Sequence, residues 1–463
     1  MTSEKKNVGW FLLLFTLVFM EGISIGQEPK NQEKNMPTLA DPNADTNSIL
    51  TKEIAERFLE DSSSVELGRF KSITTQAAMV LAESEDYLDL GSLTDLPVDI
   101  AKQLGRSTAG ITLRGLQELS PDAALALSEN RGGFLDLKGL TKLSDEAAIA
   151  ITKYKGLYLY LGGVTSMSDE LAEALAMYQG TMIELSNLVD LSESAAEKFC
   201  KIHAFVVLPS LKSITVPVAE SLSKLTDRVD LGLESMSEDV AAALAKNESF
   251  LNLSELGELS DAAAAALSKH RGDLSLTSLK SFPNTPGHLD LARKLIEEPS
   301  DLDFIRMTEL SDEVAEVLGD LDGDLHFRKL PSLSPRVAKA FARKRRELLL
   351  FGVTSLSDEA AEELAIGKNK NIVLLSMTEL SDRAAEAFVD FKGDLDLRGV
   401  TTMSERAADA LARRTGKTHL NLNNLPESVR EILSGPCSGG SYTTRSDLNR
   451  TPPWRVSPFR ACQ

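Results

Sequence analysis

The sequence predicts an α/β solenoid, with one parallel β-sheet along its concave side and short helices along its convex side. Three observations carry this. The stretch at 135–151, L-D-L-K-G-L-T-K-L-S-D-E-A-A-I-A-I, recurs in variant form down most of the chain. Within each copy the apolar residues first alternate and then shift to helical spacing. No copy can fold alone, because the apolar area that one strand and one short helix cover falls short of the backbone entropy lost in ordering them. Copies must therefore stack, each covering its neighbours.

The elements of one unit follow in order. Leu135, Asp136 and Leu137 alternate apolar and polar, as a strand with one buried face does. Leu140 and Leu143 carry the apolar set through a turn. Ser144 is placed to cap a helix, its hydroxyl accepting an N–H of the first turn. Asp145 and Glu146 set negative charge against the positive end of the helix dipole. Ala147, Ala148 and Ile151 lie three, four and seven positions after the cap, on one helical face. Alanine favours the helix and lets it lie close to what it covers.

This pattern resembles the leucine-rich repeat, and most of all its cysteine-containing subfamily, L-x-L-x-x-C-x-x-I-T-D followed by spaced leucines. Leu135, Leu137, Leu143, Ser144 and Asp145 stand at matching positions. Leu140 replaces the cysteine, and Gly132 stands where a leucine usually precedes the strand. The resemblance implies a right-handed leucine-rich-repeat solenoid. The subfamily's ubiquitin-ligase adaptor role is not carried over, since the sequence has no F-box-like helical segment.

Taken in order, the chain opens with a secretory signal at 1–26: Lys5 and Lys6, an apolar run from Trp10 to Met20, then Ser24 and Gly26 before a cleavage point. The run is short for a membrane span, and Glu21 interrupts the alternative, an uncleaved anchor from Val8 to Ile25. The expected location is secreted, periplasmic or cell-envelope, with no stable membrane span after cleavage. Residues 27–48 read as a disordered linker. The solenoid occupies 49–433. Thr51, Ile54, Ala55 and Phe58 form a helical half-unit suited to capping the N-terminal end. Helix caps then fall at Thr74, Pro97, Ser120, Ser144, Ser168, Ser192, Thr215, Ser237, Ser260, Pro283, Ser311, Ser334, Ser357, Ser381 and Ser404, a period of roughly 23 residues. One turn, at 229–233, is a residue short. The stretch 283–288 adds about five residues and resumes its helix at Leu289; it reads as a neutral loop insertion or a binding protrusion. From 434 to 463 the repeat is lost and the charge reverses, with Arg445, Arg450, Arg455 and Arg460. This basic tail reads as disordered, as partner-binding, or as an out-of-frame extension. In an exported chain Cys437 and Cys462 are expected to pair, leaving Cys200 a buried free thiol beside Phe199.

The 463 residues carry a net charge of −19, which argues against a nucleic-acid partner. No P-loop, dinucleotide fingerprint, H-E-x-x-H or paired C-x-x-C is present. The five histidines, His203, His270, His288, His326 and His419, fall in unrelated phases and are expected to be solvated or half-buried. The run Arg343-Lys344-Arg345-Arg346 is expected to be a solvated helix end. No enzyme, cofactor or metal site is expected.

The strand face says more. The middle residue of each L-x-L points to the open face, giving an acidic column: Glu66, Asp89, Asp136, Glu184, Asp230, Asp303 and Asp396. Just before the strand leucines stand Tyr87, Phe134, Tyr158, Phe205 and Phe250, with Tyr160 at a middle position. In a chain only 5% aromatic this grouping has two readings, rings covering the sheet and rings anchoring a ligand. The ligand-binding reading takes Tyr87, Asp89, Phe134, Asp136, Tyr158, Tyr160, Glu184, Phe205 and Phe250 as one concave site, its acids selecting a basic or hydroxyl-rich ligand. The function expected is an exported binding or scaffold protein for a protein, peptide or glycan. The alternatives are an enzyme with its site in inter-repeat loops and a cation-binding structural protein of the envelope.

Overall fold

The alternation and the caps set each unit. In the computed structural model, which describes residues 49–434 apart from 298, 299 and 345, the strand Phe134–Leu137 is followed by a turn and the helix Asp145–Ile151. Leu135, Leu137, Leu140 and Ile151 are fully buried and Leu143 half-buried. The Ala147 N–H donates to the Ser144 hydroxyl. The same cap bond forms at every described Ser or Thr cap except Thr51 and Thr285, which lack it. Several cap hydroxyls also donate across to the first helical acid of the preceding unit: Ser334 to Asp312, Ser381 to Asp358 and Ser404 to Asp382, each at 2.5 Å. One residue type thus ends the turn, starts the helix and ties it to its neighbour.

Stacking the units gives the expected α/β solenoid. Nine strands, from Leu88–Asp89 to Leu274–Ser275, pair in parallel and in chain order. Six more, from Leu302–Phe304 to Thr418–His419, form a second sheet. A helix stands between successive strands of each sheet, the crossover connection that parallel pairing requires. Among the described residues no helix is long and apolar enough to cross a membrane. The expected signal, the linker, and the tail from 435, with Cys437 and Cys462, lie outside the described residues.

A second tie lies where each helix turns back to the next strand. The tenth residue after the cap points inward in nearly every unit and meets backbone carbonyls left over by the turn. Asn130 donates from its side-chain amide to the carbonyls of Leu104, Ser107 and Ala109, and its oxygen accepts the Gly132 N–H. The Tyr154 and Tyr178 hydroxyls donate to Gly132 and Met182 carbonyls. Asn247 repeats the Asn130 pattern on Ser223 and Leu225. His270 lies within reach of Ser249 and Asp273 carbonyls, which require its Nε2 to carry the proton, and burial lowers its pKa. Lys344 donates to the Leu321 carbonyl at 2.9 Å. Arg414, fully buried, donates to the carbonyls of Phe388, Phe391, Gly393 and Lys417 and to the Thr418 hydroxyl. Where the position is apolar, as at Ile202 and Leu225, the side chain simply joins the core.

Several expectations change. His270 and His288 are buried, the latter bonded through Nδ1 to Thr285 at 2.8 Å. Lys344 is not solvated, because it is one of the inward residues. Cys200 is half-buried instead of buried; as the residue ending the helix Glu193–Phe199 it faces outward and its thiol donates to the Glu197 carbonyl. Glu66 precedes a 3-10 turn, Leu67–Arg69, and lies outside the main sheet. The late cap is Thr285, not Pro283, and the helix begins at Pro286, not Leu289. Proline at the first helical position needs no N–H, so the second proline starts the helix. Leu274 and Leu302 are 28 residues apart, five more than the 23 between Leu251 and Leu274. A ten-residue helix, Pro286–Leu295, takes up part of the excess where most units have seven. The main strand ladder breaks there, although the Ile305 N–H still donates to Thr277.

Two outcomes check this account. Asn130→Leu keeps the side chain's branching and adds apolar surface, yet strands buried carbonyls; it should cost about 2 kcal/mol in a denaturant melt, whereas Met177→Ser, at an exposed site, should be within about 0.5. An equal effect of the two would refute the role given to Asn130. Burial lowers the Lys344 pKa from 10.5 to about 8. Between those values the unfolded chain binds the extra proton, so stability rises with pH. Relative to Lys344→Met, the unaltered chain should gain on the order of 2 kcal/mol from pH 8 to 10.5, with no such gain below pH 8. A flat difference in paired melts would mean that Lys344 is solvated.

Candidate binding face

Parallel register turns the residue before each strand's first inward side chain into a row across the sheet. In the nine-stranded sheet this row is Tyr87, Gly110, Phe134, Tyr158, Met182, Phe205, Arg228, Phe250 and Asp273. The expected aromatic residues therefore do share a row, but they fall into separate groups.

The first group is Tyr87 with Phe134. Their strands are not adjacent, yet the ring centroids lie 5.4 Å apart. Gly110 makes this possible: a Cβ there would fall 2.5 Å from Cε1 of Phe134. The Tyr87 hydroxyl donates to Thr112 at 3.0 Å, and half of the residue stays exposed. The second group is Tyr158, opposite Phe134, and Tyr160 beside it on the same strand. Burial, with Glu184 and Asp136 alongside, pushes the Tyr160 hydroxyl up to about 12, so it is a neutral donor. The third is a closed sandwich. The Arg228 guanidinium lies 4.7 Å from the Phe205 ring centre and 4.4 Å from that of Phe250. It also holds Asp230 with two bonds, at 2.7 and 2.9 Å. Phe205 and Phe250 are thus occupied by the chain's own cation, and buried Met182 separates them from Tyr158.

Much of the acidic column is less open than the alternation suggests: Asp136 and Asp396 are buried, and Glu184, Asp230 and Asp303 are half-buried. Asp136 is buried and takes Nε and Nη2 of Arg114, both at 2.7 Å, as well as the Lys138 N–H. Lys138 in turn reaches Glu184 at 2.8 Å and stands over the Tyr160 ring. The side chains of Arg114 and Lys138 are 46% and 35% exposed, those of Asp136 and Glu184 only 4% and 13%. The carboxylates are sunk and the cations ride above them. Asp89 stays exposed, accepting the Gly91 N–H. Asp303 and Asp396 are likewise held by Arg328 and Arg398. Asp136, Asp230, Asp303 and Asp396 have both carboxylate oxygens committed within the fold, which leaves them little of the oxygen shell that a hard cation needs. Arg114, Lys138 and Arg228 are the residues that sequence reasoning missed. Their signal was present, as a base two positions from a middle-row residue of its own strand.

No protein-family model matches the chain, and no curated protein does. Among solved structures it is similar to a leucine-rich-repeat protein of Leptospira interrogans at 17% identity, covering 84% of this chain and 98% of that one, with a TM-score of 0.42. It is also similar to a chain of the Drosophila Toll–Spätzle complex, at 16% identity over 70% of this chain and 45% of that one, TM-score 0.40. An internalin of Listeria monocytogenes is similar at 14% identity, over 79% and 93% of the two chains, TM-score 0.37.

The sandwich is checked by replacing its centre. Arg228→Ala should cost about 2 kcal/mol, from two lost cation–π contacts and an Asp230 left without its partner. Arg228→Lys should recover only part of this, since an ammonium cannot both stack and bind a carboxylate in bidentate fashion. Full recovery by lysine would mean that the stacking contributes nothing.

Proposed function

We propose that the chain is an exported, non-enzymatic binding protein, and that a protein partner sits on the sheet face between Tyr87 and Glu184. The observation that carries this is the grouping of Tyr87, Phe134, Tyr158 and Tyr160 with Arg114 and Lys138 above sunken acids. Aromatic anchors in a polar surround are the usual centre of an interface. Because the cations are the more exposed partners, the face suits a protein surface with carboxylates or hydroxyls around an apolar contact, not the basic ligand that an acidic column suggests. Phe205 and Phe250 are left out, since Arg228 already covers them. Asp89 belongs at the margin. Export rests on residues 1–26, whose basic start, apolar run and small residues have the form of a signal.

The experiment is a pull-down from the extracellular or envelope fraction with the chain from residue 27 onward, followed by titration of any captured protein. Phe134→Ala with Tyr158→Ala should weaken binding by on the order of 2 kcal/mol and leave the melting curve nearly unchanged. Lost stability with unchanged binding would make the rings structural cover and sink the proposal.

A further inference from the structure

The same row changes character beyond the break. In the six-stranded sheet it reads Asp301, Asp324, Glu347, Asn371, Asp394 and Lys417. Among the described residues none of the four acids forms an ion pair, in contrast to the middle-row acids Asp303 and Asp396. Beside them is an apolar strip. Leu349 and Val373 are register partners on the sheet face, and Phe351 and Leu375 follow two positions on. All but Val373 are only partly buried. The strip is thus a sheet face without a partner, edged by negative charge.

The chain's own continuation matches it. Residues 435–463 hold Arg445, Arg450, Arg455 and Arg460 against a single acid, Asp447, a net of 4 − 1 = +3 in a chain of net −19. They also carry Trp454 and Phe459. In the preceding unit the backbone after the helix Glu405–Ala412 returns to the start of the strand Thr418–His419. The last helix, Glu427–Leu433, ends two residues before that basic continuation begins. From the last strand to Leu348 is three strand spacings, about 14 Å. The eleven residues from 435 to Arg445 can span up to about 36 Å. Arginines five apart lie about 16 Å apart in an extended chain, close to the three spacings from Asp324 to Asp394, about 14 Å.

The geometry points to an intramolecular docking site: the basic segment 445–460 lies across the sheet face of the C-terminal half, its arginines on Asp324, Glu347 and Asp394 and Trp454 against Leu349, Phe351, Val373 and Leu375. The tail then covers the acidic, apolar half of the row and leaves the aromatic half open.

Trp454 reports on this directly, because the only other tryptophan is Trp10. In the full chain carrying Trp10→Phe, Trp454 emission should be blue-shifted and shielded from acrylamide at low salt, and less so as salt screens the charges. Glu347→Lys with Asp394→Lys should abolish the shielding without moving the thermal midpoint. Arg450→Glu with Arg455→Glu, outside the solenoid, should do the same, and combining both pairs should restore it. Emission of a solvated indole in the unaltered chain, or shielding that survives either pair, overturns the proposal. Shielding that grows with protein concentration would place the tail on a second copy, and overturns it as well.

Discussion

Each unit of this solenoid must turn its backbone inward after a short helix, seven or eight residues long in most units, and the carbonyls bared by that turn have to be satisfied away from water. The rest of the structure depends on that constraint. The leucines supply burial, but burial is non-directional and would tolerate a slipped neighbour. The inward residues are directional. Asn130 reaches carbonyls on both sides of the preceding turn, and Arg414 spends its whole donor set on one junction. Because the same position is filled by Asn, Tyr, His, Lys, Arg or an aliphatic residue, each junction has its own strength. Stability is then a sum of unequal interfaces, not one cooperative block.

With register fixed this way, one sequence position per unit becomes one row on the sheet, and the row can be written like a line. Here it is aromatic from Tyr87 to Phe250 and acidic from Asp273 to Asp394. The change falls between Phe250 and Asp273, one strand before the five-residue insertion at which the strand ladder breaks. The middle row is less free. Its acids are drawn down by Arg114, Lys138, Arg228, Arg328 and Arg398, so charge counted from the sequence overstates the charge that a partner meets.

Much of the fold was legible because it follows from local rules: alternation, the Ser cap and helical spacing are read within a dozen residues. Pro283 was mistaken for a cap because two prolines stand close together and only the second starts the helix. What local reading lost is what lies between units. His270, Lys344 and Asn130 look unrelated along the chain, yet stand at one position when the units are aligned on their caps. Cys200 was expected to be buried from its neighbour Phe199, but the residue one past a buried helix position faces outward. In the candidate site, the row of Tyr87, Phe134 and Tyr158 followed from the pattern. The Gly110 gap that lets two of those rings meet, and the Arg228 that claims two others, required the register.

The central claim is that the inward residues, and not the leucines alone, hold each unit to the next. Amide hydrogen exchange on Arg414→Met tests it most directly. The account predicts that protection falls for the last strand and helix, 418–433, while amides near Leu88–Asp89 and Phe134–Leu137 keep theirs. Unchanged protection at 418–433 would contradict it, and would return the work of stacking to apolar burial alone.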